Sequence, residues 1–422
     1  MNILIVSQYF WPENFRINDL ALDLRQKGHS VTVLTGVPNY PDGCFFEGYG
    51  IFKKWKEDFN GVRVFRVPLV SRGESKGLRL ALNYLSFAFF GSLFGPFYCR
   101  GRYDAIFIFE PSPITVCLPA IVLKKIKKAP IFFWVLDLWP ESLSATGAVS
   151  SAFVLKVVGR LVRFIYSQCD RILVSSQGFI KQVSGMGFPP ENILYFPNWT
   201  EEIYWQPPDK SPSAGLRRDK AGLNGLKALP EGFKIVFAGN IGAAQSFATI
   251  LDAAERLKGI SDIHWLIIGD GRMSDWVSGQ IKLRNLENCV HMLGRHSPET
   301  VVSLFSEADA LLVTLKRDPA FSLTVPGKIQ SYLACGKPVI ASLDGEGGRL
   351  IEEAGAGIAC PAEDPAALVT AVLALRGMSA EARGEMGERG RKFCESNFTR
   401  STLLDKLEGW LKEGAKKYNN YC

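Results

Sequence analysis

Short runs of continuous apolar residues alternate along the chain with longer segments whose apolar positions recur at helical spacing. In the first half, strands are predicted at NILIVSQ (2–8), SVTVLTG (30–36), VRVFRVP (62–68), DAIFIFE (104–110), PIFFWVLD (130–137) and RILVSS (171–176). Between the first two, Ile17, Leu20, Ala21 and Leu24 line one face of a helix that Gly28 ends. The segment LYFPNWTEEIYWQPPDKSPSAG (194–215), rich in Pro, Ser and aromatic residues, reads as a linker. The alternation then restarts with strands at 234–240, 263–270, 289–294, 310–315, 337–342 and 357–361, and helices at 246–258, 298–307, 326–334, 347–354 and 365–376. Two further amphipathic helices fit Ala380 to Lys417. Strands that are apolar throughout belong to parallel sheets covered on both faces. The halves share rhythm but not residues, so the expectation is two doubly wound α/β domains of similar size. In such sheets ligands bind beyond the carboxyl ends of the strands. Two of them joined by a linker are expected to face those ends toward a common cleft, and the residues just after each strand are the candidate site.

A chain of 422 residues exceeds one ordinary core, which agrees with that division. The net charge of +7 suits an anionic ligand or an anionic membrane surface and is too small an excess to argue for nucleic acid. Nine scattered cysteines without a CxxC pair read as reduced thiols and no zinc site. The opening MNILIVSQYF lacks a basic region and a cleavage site, so no signal peptide is expected and the chain is placed in the cytoplasm. One stretch complicates that placement. Leu78 to Tyr98 is almost free of charge after Arg79, rich in aromatics, and flanked by Arg72, Lys76, Arg100 and Arg102. A buried core helix, a helix lying in a membrane interface and a membrane span all fit it.

Candidate chemistry in the second half gathers at strand ends. In FAGNIGAAQS, Gly239 and Gly242 remove side chains where a backbone approaches a phosphate, and Asn240 and Gln245 lie beside them. Gly269, Asp270 and Gly271 form a second such turn, and Gly294, Arg295 and His296 a third. An ordinary glycine turn explains each equally well alone. The segment FSLTVPGKIQSYLACGKPVIAS (321–342) is more specific. Pro326 suits a first helical turn, whose free amides then point at Phe321 to Val325. Lys328 in that turn opposes the helix dipole, which hints that its ammonium serves elsewhere, for instance on a diphosphate; the alternative is a solvated surface lysine. Arg317, after the strand ALLVTL, is the other candidate phosphate contact.

In the first half, Trp11 and Glu13 follow the first strand, and Asn39 and Tyr40 open the tight turn NYPDG. Glu13 is a candidate for orienting an acceptor hydroxyl or an ordinary loop acid. Asp137 closes a fully apolar strand, where an aspartate is costly unless paired or used, so it is either functional or a helix N-cap. Glu110, closing DAIFIFE, shares that geometry. No DxD pair of the kind that carries a metal diphosphate occurs, so no essential metal is expected.

The order GNIG, GDG, LGR and VPGKIQSYLACGKPVIAS resembles the retaining glycosyltransferases with two Rossmann-like domains, the GT-B fold. The segments SQYFWPENFRINDLALDLRQKGHSVTVLTGVPNYPDG (7–43) and FWVLDLWPESLSATG (133–147) resemble the bacterial branch that builds O-antigen and colanic-acid-type polysaccharides, including fucosamine transferases. The resemblance implies an acceptor domain at 1–200, a nucleotide-sugar domain at 201–395 and a C-terminal helix, 396–422, packing back on the first. It implies a UDP-sugar donor with its base near Gly294 to His296 and its diphosphate near Gly239 to Gly242, and no cofactor beyond that donor. The implied acceptor is a lipid-linked saccharide, which would hold the enzyme at the inner face of the cell membrane, with 78–98 as the contact. The catalytic residues become Asp137, Glu13 and Lys328, with stabilisation of the leaving diphosphate as the main task. The chain departs from the family pattern at four donor contacts. Leu323 and Ser331 stand where glutamates are customary, and Asn240 and Gln245 where an arginine and a lysine are. Ser331 or Gln330 is then left to bind the ribose, and the amides of Ser322, Leu323 and Thr324 the sugar. A 6-deoxy sugar would suit apolar Leu323 or Phe321. A UDP-sugar 2-epimerase of the same architecture and a non-catalytic sugar-nucleotide-binding subunit are the competing readings.

Overall fold

The computed structural model describes residues 1–51, 53–73, 77–205 and 229–421. It divides into two compact units, Met1–Pro197 with Ser401–Cys422, and Asn198–Arg400. The strand and helix rhythm of the sequence is realised as two doubly wound α/β sheets, one in each unit.

The first unit is built on an eight-stranded sheet of order β3-β4-β2-β1-β5-β6-β7-β8. Its strands are β1 (Asn2–Ser7), β2 (Ser30–Gly36), β3 (Lys56–Phe59), β4 (Val62–Val67), β5 (Ala105–Glu110), β6 (Ile131–Val135), β7 (Arg171–Val174) and β8 (Ile193–Tyr195). All pairings are parallel except β3 with β4. The edge strand β3 (Lys-Glu-Asp-Phe) lacks a continuous apolar run, which is why periodicity does not announce it; β8, only three residues long, takes up the start of the expected linker, whose residues 206–215 lie outside the described residues. The connections are α1 (Arg16–Gln26), α2 (Gly77–Tyr98), α3 (Cys117–Lys127), α4 (Glu141–Ala145), α5 (Ala152–Ser167) and α6 (Gly178–Gly185). Chain order runs one way from β1 through β2 and the other way through β5, so the switch point lies between β1 and β5.

The aromatic stretch is a single helix, α2, neither wholly core nor wholly exposed. Its inner face carries Asn83, Phe87, Ala88, Gly91 and Gly95. The glycines bring it against the rest of the unit: a Cβ on Gly91 would lie 2.7 Å from Pro119, and one on Gly95 3.0 Å from Leu34. Asn83 is buried because it is fully paired, accepting from Gln8 Nε2 (2.7 Å) and donating to Val70 O (2.6 Å).

The second unit has a six-stranded parallel sheet of order β11-β10-β9-β12-β13-β14. Its strands are β9 (Phe233–Ala238), β10 (Ile263–Ile268), β11 (Val290–Gly294), β12 (Ala310–Thr314), β13 (Val339–Ser342) and β14 (Gly357–Cys360). Its helices are α7 (Phe247–Leu257), α8 (Ser274–Leu283), α9 (Pro298–Ser306), α10 (Pro319–Ser322), α11 (Lys328–Ala334), α12 (Glu346–Glu353), α13 (Pro365–Gly377) and α14 (Ala380–Phe398). Here the switch point lies between β9 and β12. Both faces of the sheet are apolar, with Phe237, Trp265 and Leu312 on one side and Val236, Leu266 and Val313 on the other.

The last helix, α15 (Arg400–Tyr421), returns to the first unit. Along it Lys27 pairs with Asp405, His29 Nε2 lies 3.1 Å from Glu408, and Phe196 meets Trp410 edge-on. Gly414 lets it touch β6, since a Cβ there would stand 2.4 Å from the Phe132 ring, whereas Gly409 on the same helix has open space. Two alanine substitutions should therefore have opposite signs. Gly414→Ala should cost about 1–3 kcal/mol through overpacking, and Gly409→Ala should stabilise by up to about 1 kcal/mol through helix propensity. Urea unfolding of the intact chain measures both.

Candidate active site

In the second unit the polar residues converge at the switch point. The strands β9, β10 and β11 each end in a glycine of positive φ, at 137° (Gly239), 127° (Gly269) and 75° (Gly294). These glycines are stitched to one another: Gly239 N donates to Ile268 O (3.0 Å) and Gly269 N to Gly294 O (2.8 Å). A Cβ on Gly269 would sit 1.9 Å from Gly239 O, so no other residue fits there. The loop after β9 is held from the other side of the switch point, with Thr314 Oγ1 donating to Gln245 O (2.5 Å) and Lys316 N to Ala244 O (2.9 Å). Tyr332 of α11 clamps the end of β9, its hydroxyl donating to Ala238 O (3.2 Å) and accepting from Ala238 N (3.0 Å).

Lys328 reaches into this corner. Its Nζ lies 3.9 Å from the centre of the Phe237 ring and donates to Gln245 Oε1 (3.1 Å). A Cβ on Gly239 would approach that Nζ to 3.2 Å, so the ammonium stands against the bare backbone of the loop. Among the described residues it has no carboxylate partner, and burial pushes its pKa down to about 7. The expectation of a first-turn lysine holds, but α11 begins at Lys328 itself, with Pro326 before the helix and Gly327 at its cap.

The neighbouring segment differs from expectation. Phe321 to Val325 is no open loop, because Pro319–Ser322 forms the turn α10 with Asp318 capping it. Ser322 N donates to Asp318 O and Thr324 N to Phe321 O, so these amides are spent within the turn and do not point at a ligand. The turn is braced by Gly345, whose Cβ would stand 2.0 Å from Ser322 O. Arg317 is also engaged: it donates to Ala362 O (2.7 Å) and lies 3.4 Å from Asp344. Gln330 is buried, and with its amide oriented to suit its neighbours it donates to Gly327 O and Pro326 O (3.0 and 3.3 Å), which leaves it closing α11 rather than facing outward. Ser331 is 8% exposed, and its hydroxyl has no hydrogen bond among the described residues. Leu323 is half-buried. Asn240 is exposed above Gly242, to which its amide comes so close that a Cβ there would lie 2.6 Å away. Asp270 accepts from Gly271 N and Ser274 Oγ (both 2.7 Å), and these bonds, the Ser274 one foremost, hold its pKa below the usual range. Exposed Arg295 lies 3.4 Å from it, and His296 turns back to Leu293 O (2.9 Å).

In the first unit the loop after β1 and the turn after β2 are tied together by Glu13. Its carboxylate is 2% exposed and accepts from Asn39 N and Tyr40 N (both 2.8 Å) and Phe10 N (3.3 Å). Burial raises its pKa to about 7 despite those amides. With its oxygens taken by the chain's own backbone, Glu13 fixes the loop instead of presenting a carboxylate to an acceptor. Asn39 is buried too, accepting from Arg72 N (3.0 Å) and donating to Val37 O (2.9 Å). What these groups hold outward is Trp11, 44% exposed and stacked on Phe59, and Tyr40, 39% exposed beside Tyr9 and Phe15.

Asp137 stands two residues beyond β6, in the loop before α4, and caps no helix there. Trp139 Nε1 donates to it (3.2 Å), and burial raises its pKa against the bonds from Ser142 and Trp139. Glu110 lies within β5 with no exposed surface and no hydrogen bond of regular geometry, so it is a core acid and not an edge residue open to an acceptor. Burial, and then the Asp137 charge, raise its pKa well above the carboxylate range.

Pattern reading passes over three contributors. Arg72 donates to Tyr9 Oη (2.5 Å) and stacks over Tyr40 and Tyr84 at 5.1 and 5.9 Å. Arg66, 2% exposed, holds Trp11 O (2.5 Å) and Glu57 (2.9 Å). Tyr332 carries the β9 clamp. None has a periodic signal, since each acts across long sequence separation.

The profile of a glycosyl transferase 4-like domain matches residues 14–199, and that of the glycosyl transferases group 1 matches 232–377. The chain is 26% identical over 363 residues to WcaI of Escherichia coli K12, a glycosyl transferase named for colanic acid biosynthesis, covering 83% of this chain and 86% of that one. It is 29% identical over 248 residues to a glycosyltransferase named WbjE of Pseudomonas aeruginosa, covering 56% and 58%. Among solved structures, Anabaena HepE in complex with UDP has the same fold, with a TM-score of 0.66 at 14% identity over 98% of this chain and 100% of that one. With a 4-like domain in its first half and a group 1 domain in its second, the chain belongs to the GT-B glycosyltransferases.

Proposed function

We propose that the protein transfers a sugar from UDP to a polyprenyl-diphosphate-linked saccharide, with retention of configuration, during assembly of a bacterial surface polysaccharide at the cytoplasmic face of the cell membrane. The observation that carries this reading is the Lys328 ammonium held against the bare backbone of Gly239, without a carboxylate partner among the described residues. A diphosphate is the ligand that such a corner lacks: an anion that approaches backbone closely and offsets the burial that lowers the lysine's pKa. The Anabaena HepE structures with UDP, and with UDP and glucose, support the nucleotide, and WcaI supports the polysaccharide.

On this reading the diphosphate lies on Gly239 to Gly242 near Lys328, with Asn240 and Gln245 as neutral hydrogen-bond partners. The base lies near Gly269 to Gly271 and Gly294 to His296. The free hydroxyl of Ser331 serves the ribose. Arg317, held by Asp344 and Ala362, is left out of the phosphate contacts, and Lys328 becomes the principal cation stabilising the leaving group. Leu323 faces C6 of the sugar, which favours a 6-deoxy hexosamine such as N-acetylfucosamine. In the first unit Asp137 is the candidate acid for the acceptor hydroxyl. Trp11, Tyr40 and Arg72 form the acceptor's contact surface, positioned by Glu13 and Asn39.

Two measurements test this. A UDP-N-acetylhexosamine carries a diphosphate diester that does not titrate near neutrality, so the pH dependence of its affinity reports on the protein. Bound donor raises the Lys328 pKa above its free value of about 7. Affinity measured by calorimetry should then be flat below pH 7 and fall with rising pH above it, by up to about tenfold per unit. Lys328→Met should bind at least about tenfold more weakly with no such slope; a flat wild-type profile refutes the assignment. Second, incubation with a lipid-diphosphate acceptor and a panel of UDP-sugars should give a new lipid glycan, fastest with a 6-deoxy donor, and Leu323→Glu should shift preference toward donors bearing O6. An epimerised nucleotide, or no product with bound UDP-sugar, identifies the isomerase or the binding subunit instead.

A further inference from the structure

The two faces of the first unit's sheet carry opposite kinds of helix. Phe132 faces α15 and its neighbour Phe133 faces Tyr166 of α5, so α15 and α5 cover opposite sides. On the α5 side α3 packs against both α2 and α5. The sequences of α2, α3 and α5 contain no Asp or Glu. Their charged residues are Arg79; Lys124, Lys125 and Lys127; and Lys156, Arg160 and Arg163. On the opposite side α1 and α15 mix both signs, with Asp19, Asp23, Asp405, Glu408 and Glu413 among their lysines and arginines.

The helices α2 and α5 are also apolar outward. Along α2 the residues Leu78, Leu82, Leu85, Phe89, Leu93 and Phe97 form one stripe at helical spacing and are 76%, 44%, 56%, 63%, 47% and 62% exposed. On α5, Phe153, Val157 and Phe164 are exposed beside Lys156, Arg160 and Arg163. At the C-terminal end of α2, Tyr98 meets Trp55 at 5.1 Å; Trp55 is 46% exposed and stands between the exposed lysines Lys53, Lys54 and Lys56. A solvated helix turns polar residues outward, and α2 does not.

We infer that this face of the first unit docks on an anionic lipid bilayer, with α2 lying along the surface and its Leu85–Phe89–Leu93–Phe97 stripe sunk among the acyl chains. The occupant follows from the combination: apolar side chains reaching outward, a basic excess around them, since α2, α3 and α5 carry seven basic residues and no acid while Glu57, Asp58, Glu141 and Asp170 lie only in the flanking segments, and a Trp–Tyr pair at the end of the stripe, where interfacial aromatics belong. α2 is long and apolar enough to cross a membrane, but Gly91, Gly95 and Asn83 hold its inner face to Pro119, Leu34 and Gln8, so it meets lipid from the side. Docking places the acceptor loop at the lipid surface, because Asn83 also donates to Asn39 (3.3 Å) and Tyr84 touches Trp139. The inference rests on the membrane placement in the proposed function, to which it gives a surface, and is independent of the donor assignment.

Co-sedimentation of the intact protein with vesicles of phosphatidylcholine, or of phosphatidylcholine mixed with phosphatidylglycerol, tests it. Wild type should pellet with the mixed vesicles and be released by salt. Leu85→Gln/Phe89→Gln/Leu93→Gln should lower binding by more than about tenfold on both compositions. Lys156→Gln/Arg160→Gln/Arg163→Gln should lower it roughly a hundredfold on the anionic vesicles alone. All the substituted residues are exposed, so thermal unfolding and UDP-sugar affinity should match wild type in both variants. Wild type that stays in the supernatant with anionic vesicles, variants that pellet like wild type, or a concentration-dependent dimer that the Leu–Phe–Leu variant abolishes without any vesicle binding would each overturn the proposal; the last would assign the face to a second copy.

Discussion

Burial of both faces of a parallel sheet is the constraint from which the rest of this structure follows. Every strand interior must be apolar, because helices cover the sheet above and below. Polar chemistry is thereby expelled to the ends of the strands. The carboxyl ends alone combine free loop backbone with the mouths of the following helices, and at a switch point two such loops diverge and leave a crevice. Where a polar group does enter a sheet, its chemistry changes. Glu110, buried in β5, is driven toward its neutral form, and Arg66 of β4 survives burial by holding Glu57 and the Trp11 carbonyl.

At the second switch point the same constraint acts on backbone. Three strand-end glycines are packed so closely that a single added carbon on Gly269 would overlap the Gly239 carbonyl. That closeness exposes the loop's backbone and leaves no room for charged side chains of its own. The cation arrives from another element, α11, and its aromatic floor from β9. Tyr332, one turn along the same helix, locks α11 to β9 and so fixes the lysine relative to the glycines. A cation sharing its corner with an aromatic ring and a glutamine is poorly solvated, which is why it loses its proton more readily than a surface lysine.

The first unit solves a different problem with the same sheet. Its exposed aromatics are held by buried polar groups whose bonds all go inward: Glu13 to three amides, Asn39 to Arg72 and Val37. Beyond them, three helices of one layer, α2, α3 and α5, carry no acid, while α1 and α15 across the sheet mix charges. Sheet packing needs only the inner faces of these helices, so the outer faces were free to differ, and the difference is a chemical asymmetry of the surface.

The sequence by itself determined the fold class, most strand positions and the glycine turns that make up the candidate site, because strand burial writes itself as continuous apolar runs and strand ends as glycine turns. It also placed Lys328, through the oddity of a cation in a helix's first turn. Only the tertiary structure decided which polar residues are available. Asn39, Glu110 and Gln330 look like site residues along the chain and are buried, and the Ser322 and Thr324 amides close their own turn. Arg72, Arg66 and Tyr332 are silent in the sequence and shape both loops. Availability depends on partners far apart in the chain, such as Glu13 with Asn39 or Tyr332 with Ala238, and local pattern carries no information about partners that only folding brings within hydrogen-bond reach.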